Sequence, residues 1–140
     1  GEHFVTLKGG RKLCYFKDGD GEVPVLAFHG GMEGKYKFMT KTPVPGVTVY
    51  AIDRPNYGKS SPIPLDYTFE DAVADVQDFA DQLGIGRFVC MGHSVGTSWS
   101  QQIAAAIPQR VRGIILFASM ADPLHELATE EVRKSVQYPG

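Results

Sequence analysis

The chain has 140 residues, enough for one domain with a buried core and too few for two ordinary ones. Its 14 basic and 16 acidic side chains are dispersed and leave a formal charge of −2, so no field of one sign exists to gather nucleic acid or an anionic membrane. No apolar run reaches the length of a membrane span, and Gly1-Glu2-His3 lacks the basic and apolar segments of a secretion signal, so the sequence reads as soluble.

Phe4-Val5-Thr6-Leu7 and Leu13-Cys14-Tyr15-Phe16, separated by Lys8-Gly9-Gly10-Arg11-Lys12, read as the strands of a hairpin. Val23 to Phe28 is a continuous apolar run without alternation, as expected of a parallel strand covered on both faces, and it stops at His29-Gly30-Gly31. Val47 to Ile52 is a second such strand, ending at Asp53-Arg54-Pro55. From about Phe69 to Leu83, Phe69, Ala72, Val73, Val76, Phe79, Ala80 and Leu83 form one apolar stripe of a helix. Thr68 is its N-cap with Asp71 three residues on, and the spaced aspartates of the other face read as a solvated surface.

A buried strand at Arg87 to Met91, a helix from Ser94 to Ile107 closed by Pro108, and a strand at Val111 to Ala118 follow. The pattern turns helical again from Pro123 to Val136. Two antiparallel strands followed by strand-helix units predict an α/β fold, a mostly parallel sheet with helices on both faces. Cys14 and Cys90 each lie inside an apolar strand without clustered histidines, which predicts reduced core thiols, no metal and a cytoplasmic setting.

Gly92-His93-Ser94-Val95-Gly96 falls between a strand and a helix, the context that gives a G-x-S-x-G pattern meaning. A serine on such a turn projects its hydroxyl beyond the strand, and the N-terminus of the following helix sets backbone N–H groups and a dipole beside a developing oxyanion. The same pentapeptide would also serve as a plain strand-to-helix turn with Ser94 as N-cap. Two loops favour the chemical reading. His29-Gly30-Gly31 follows a buried strand and offers the Gly31 N–H as a second oxyanion donor beside that of Val95, and Asp53 to Pro62 is a rigid polar loop after the next strand.

On the H-G turn at His29-Gly30, the D-R-P-x-Y-G-x-S loop at Asp53 to Ser60 and the G-H-S-x-G elbow around Ser94, the chain resembles the N-terminal portion of the α/β-hydrolase superfamily. The likeness is to the branch of the proline-iminopeptidase-like and epoxide-hydrolase-like enzymes, and it runs from about Phe4 to about Pro123. It implies Ser94 as nucleophile, the N–H groups of Gly31 and Val95 as oxyanion hole, Met32 and His93 beside the substrate, and no cofactor. Residues 1–122 would be the front of the hydrolase core and 123–140 the start of a cap region or a following helix. Met32 and then Glu33 stand where the family often has proline after H-G-x, and a Glu33 carboxylate pointing inward would oppose an oxyanion. Met32 to Pro45 is short for the helix usual there, and Asn56 stands where glycine is common, a mild change because Asn tolerates positive φ.

In this fold the triad order is Ser, then Asp or Glu, then a late His. His3 and His29 precede Ser94, His93 is in the elbow, and His125 follows too soon, so no histidine here fits; Asp122 is the nearest carboxylate for the acid. The strand at Val111 to Ala118 would also be left with an apolar edge. Both points lead to the expectation of a sheet truncated after about the sixth strand, in a fragment inactive alone. The resulting reading is a serine hydrolase forming an acyl-enzyme from a small-molecule ester, amide or peptide substrate, with no nucleic-acid or membrane partner. The alternatives are a non-catalytic binding or scaffold protein of the same fold, and an acyltransferase.

Overall fold

The structure is a computed structural model that describes residues 2–118. The helical pattern at 123–136, the boundary at 122/123, Asp122 and His125 lie outside the described residues.

Six strands form the sheet: β1 (Glu2–Thr6), β2 (Lys12–Asp18), β3 (Val23–Phe28), β4 (Val47–Ile52), β5 (Phe88–His93) and β6 (Val111–Phe117). Their order is β1-β2-β4-β3-β5-β6, with β1–β2 and β2–β4 antiparallel and the remaining pairs parallel. The apolar runs of β3 and β4 pair in register from Val23 opposite Val47 to Phe28 opposite Ile52. From β3 the chain passes to β4 on one side, then returns through α1 (Phe69–Gln82) to lay β5 on the other side. The carboxyl ends of β3 and β5 are therefore the point where the winding reverses. In open α/β sheets that point leaves a crevice in which ligands bind. His29-Gly30 and His93-Ser94 stand on its two sides.

The α1 helix begins with a full capping box: the Thr68 hydroxyl accepts from the Asp71 N–H, and the Asp71 carboxylate accepts from the Thr68 N–H. Its stripe of Ala72, Val76, Phe79 and Ala80 packs on Leu26, Phe28, Ile52 and Phe88 of the sheet, joined by Trp99 and Ile103 of α2 (Val95–Ala106). Phe28, Phe79 and Phe88 are wholly buried, each contributing about 2–3 kcal/mol of hydrophobic stabilisation.

One expectation changes. Asp75 and Asp78 of α1 are buried rather than solvated. Asp75 accepts two bonds from the Arg11 guanidinium, at 2.7 and 2.8 Å, and one from the Tyr67 hydroxyl at 2.6 Å, while Asp78 accepts from the Lys8 N–H at 2.9 Å. They dock the hairpin turn onto the helix, and a carboxylate so surrounded can be buried where an unpaired one cannot. Among the described residues both α-helices lie on one face of the sheet. The opposite face has a small cluster of Phe16, Ala27 and Ala51, touched by Phe38 of a short 3₁₀ turn (Lys35–Phe38). That short turn occupies the stretch the sequence marks as too short for a full helix. Beside it an apolar depression of about 480 Å³ opens between the turn and Val25, Val49, Met91 and Ile115 of the sheet. Ser94, Gly31, Met32 and Val95 do not line it; His93 does. Cys14 and Cys90 are buried, free thiols, as expected, and burial pushes the Cys90 thiol up to about 12.

Candidate active site

The strand-to-helix bend at Ser94 is set by its two glycines. A Cβ on Gly92 would lie 2.2 Å from the Gly96 carbonyl oxygen, and one on Gly96 would lie 2.0 Å from that of Phe28. Only hydrogen fits at either place, so α2 can start directly above the end of β3. The turn this close approach demands puts Ser94 at φ 54 and ψ −118, a conformation an L-residue adopts at a cost. Ser94 heads α2, but its side chain makes no capping bond; its carbonyl accepts from the Thr97 N–H and hydroxyl instead. A hydroxyl held at a helix N-terminus, half-buried and unengaged with the helix, is thus the product of the bend.

The turn after β3 lies against it. A Cβ built on Gly30 would be 3.1 Å from the Ser94 Cβ and 3.2 Å from the His93 carbonyl oxygen. His29 anchors this turn. Its Nε2 accepts from the Arg54 N–H at 3.0 Å, so the ring proton sits on Nδ1 and is donated to the Gly30 carbonyl at 2.8 Å. Burial lowers the His29 pKa, and protonating Nε2 would break the bond from Arg54. His29 is therefore a fixed neutral strut, unsuited to move protons for Ser94.

The loop after β4 is organised by Asp53. Its buried carboxylate accepts from the Lys35 N–H at 2.9 Å, the Lys35 ammonium at 2.8 Å and the Lys59 N–H at 3.1 Å. Gly58, at φ 52, passes so near that a Cβ would fall 2.4 Å from that carboxylate. Burial alone would lower the Lys35 pKa, but its bonds to Asp53 and Glu2 outweigh that and raise it. Arg54 donates Nε to the His29 carbonyl at 2.8 Å and lies over the rings of Tyr57 and Trp99. Asn56 takes φ 74, the positive value its identity permits.

Glu33 points back at the turn. Its carboxylate accepts from the Gly30 N–H at 3.1 Å and lies 3.1 Å from His93 Nδ1. Burial would raise its pKa, but the Gly30 bond and the His93 imidazole outweigh that and hold it below the ordinary carboxylate value.

An alpha/beta-hydrolase-fold family model matches residues 23–140. The chain belongs to the α/β-hydrolase family. It is 32% identical over 116 residues to the bifunctional epoxide hydrolase 2 of Mus musculus, covering 79% of this chain and 21% of that protein. It is 35% identical over 98 residues to the proline iminopeptidase of Neisseria gonorrhoeae, covering 67% and 32%. A solved hypothetical protein from Pseudomonas aeruginosa PAO1 superposes with a TM-score of 0.77 at 28% identity, covering 90% of this chain and 46% of that one. The chain spans less than half the length of the curated relatives it matches.

Within this hydrolase core the residues singled out in the sequence divide. Ser94, Val95, His93 and the Gly30-Gly31 turn come together at the crevice between β3 and β5. Val95 is 42% exposed, and a Cβ on Gly31 would meet nothing within 4 Å, so the Gly31 side of the turn is open. Met32, at φ 57, is fully exposed and does not line the apolar depression. His3 packs against Tyr15 on the far edge hairpin. Asp122 lies outside the described residues. The pairing of Glu33 with His93, and the Lys35–Asp53 pair, are the contacts that sequence reading missed. In the sequence Glu33 stands out only as a departure from the family pattern, and Lys35 carries no signal.

Proposed function

We propose that this chain carries the nucleophile side of a serine hydrolase acting on small-molecule ester, amide or peptide carbonyls. Ser94 Oγ attacks the carbonyl carbon as its proton passes to a base, and the N–H groups of Val95 and Gly31 donate to the resulting oxyanion. Collapse of that intermediate expels the alcohol or amine, which takes up the proton, and water then releases the acid from the acyl-serine. One observation carries the reading: Ser94 is held at φ 54 and ψ −118 with its hydroxyl free of any capping bond, and its Cβ is 3.1 Å from where a Cβ on Gly30 would lie. Strain kept at the mouth of a crevice where a sheet reverses its winding is characteristic of a working residue rather than of a helix cap. Family membership supports the reaction class, and the names of the two relatives, an epoxide hydrolase and an iminopeptidase, support a small-molecule substrate.

Among the described histidines none is placed as the base: His29 is locked to Arg54 and Gly30, His93 faces Glu33, and His3 is on the edge hairpin. The base and acid of this reading therefore come from outside the described residues, with Asp122 a candidate for the acid and 123–140 leading into a cap. The test is a fluorophosphonate probe applied to the protein with its natural C-terminus. Adduct on Ser94, lost in Ser94→Ala, is the expected result. Failure of the intact protein to label would favour a binding or scaffold role, and turnover of acyl thioesters to an acceptor without hydrolysis would favour acyl transfer.

A further inference from the structure

We propose that Glu33 is a positioning residue that clamps the oxyanion turn onto the elbow, a role that rests on the hydrolase reading above. Three observations join in it. The Glu33 carboxylate accepts from the Gly30 N–H at 3.1 Å, so it fixes the peptide immediately before the proposed donor, the N–H of Gly31. The same carboxylate lies 3.1 Å from Nδ1 of His93, the residue preceding Ser94. A carboxylate oxygen only accepts, so Nδ1 carries the proton and donates it. One side chain thereby spans the two loops that must keep a fixed separation, and they lie so close that a Cβ added to Gly30 would be 3.1 Å from the Ser94 Cβ.

The clamp also answers the objection that a carboxylate here would repel an oxyanion. Two of the lone-pair directions of Glu33 are occupied by the Gly30 N–H and the imidazole, and the Lys37 ammonium lies 4.0 Å from its other oxygen. The charge is directed into that set of donors. Since an oxyanion donor must sit within tenths of an ångström of its place, holding the turn acts on the transition state more than on ground-state binding.

The experiment compares Glu33→Ala, Glu33→Gln and wild type in the protein with its natural C-terminus. An activated ester supplies kcat and KM, a boronic acid reports the tetrahedral adduct, and amide hydrogen exchange reads Gly30 and Gly31. The clamp predicts that Glu33→Ala lowers kcat by about 10-fold or more, a fraction of the loss on deleting an oxyanion donor outright. Boronate affinity should fall in parallel, KM should hold, and exchange at Gly30 and Gly31 should quicken. Glu33→Gln, which keeps an acceptor for the Gly30 N–H, should recover part of each loss. Unchanged kcat and boronate affinity in Glu33→Ala, or a change in KM alone, overturns the proposal. If wild type turns over no ester and takes no fluorophosphonate, the hydrolase reading fails by itself; amide exchange then decides the clamp, and unaltered exchange in Glu33→Ala refutes it.

Discussion

Replacing Ser94 with alanine and with glycine separates a strained elbow from an ordinary helix cap without any substrate. If Ser94 merely capped α2, losing its hydroxyl would cost about 0.5–2 kcal/mol. The structure gives that hydroxyl no capping bond, so Ser94→Ala should leave stability within about 0.5 kcal/mol of wild type. Glycine goes further. At φ 54 and ψ −118 an L-residue stores about 1–3 kcal/mol of backbone strain, which glycine does not incur. Against this stands about 0.5–1 kcal/mol for the greater freedom glycine brings to the unfolded chain. Ser94→Gly is therefore expected to be more stable than Ser94→Ala by about 1 kcal/mol. In urea denaturation, with a slope of about 1–3 kcal/mol per molar, the midpoint should rise by about 0.3–1 M at unchanged slope. A glycine variant less stable than the alanine variant, together with a loss of 1 kcal/mol or more for Ser94→Ala, would refute the strained geometry and with it the basis of the hydrolase proposal.

Gly96→Ala places a methyl 2.0 Å from the Phe28 carbonyl oxygen, where neither backbone can yield, and should cost more than about 4 kcal/mol; chemical denaturation, or the yield of folded protein, checks it. Asp75→Ala strands Arg11 and the Tyr67 hydroxyl, and because the carboxylate is only 9% exposed the loss should reach about 1.5–3 kcal/mol, with Asp75→Asn in between. Glu2 is held down to about 2 from 4.5 by its hydrogen bonds from Lys59, Tyr36 and Lys35. A depressed acid stabilises the fold above its unfolded pKa and loses that contribution as pH falls through the folded value. The stability gap between wild type and Glu2→Gln should therefore be full at neutral pH, shrink below pH 4.5 and vanish near pH 2; a gap independent of pH in that window falsifies the pairing.

The parts of the molecule that could be read in advance are those settled by neighbours in sequence. Val23–Phe28 and Val47–Ile52 are apolar without alternation because both faces of a central parallel strand are shielded from water, and a run of that kind has few other uses. The Thr68–Asp71 box lies within one helical turn, and Asn56 announces its positive φ by its side chain. Gly92 and Gly96 mark the elbow since each is an atom's width from a carbonyl. The aspartates of α1 illustrate the opposite case. Nothing local distinguishes Asp75 from a solvated Asp71; the difference is made by Arg11, 64 residues earlier in the chain. Lys35 likewise looks like a surface lysine until Asp53 and Glu2 close over it. Charge burial depends on partners that arrive from a distance, and spacing cannot reveal them.

The three loops of the candidate site form one mechanical unit, and the way they are tied explains why their motifs occur together. His29 links the end of β3 to the end of β4 through Nε2 while its Nδ1 braces its own turn at the Gly30 carbonyl, and Arg54 returns the tie through Nε to the His29 carbonyl. Gly96 seats α2 on the end of β3, and the Ser94 N–H is held by the Phe117 carbonyl at 3.0 Å, which fastens the elbow to β6. A lysine in place of Arg54 would offer no planar face to Tyr57 and Trp99 and no fork for the His29 carbonyl, so the guanidinium is chosen for geometry more than for charge. Each of these ties involves a buried polar group that would be costly if its partner moved. The backbone at Ser94 can remain strained only because these contacts leave it no looser arrangement. The elbow's geometry is thus fixed by β3, β4, β5 and β6 together, before any base or acid is brought to it.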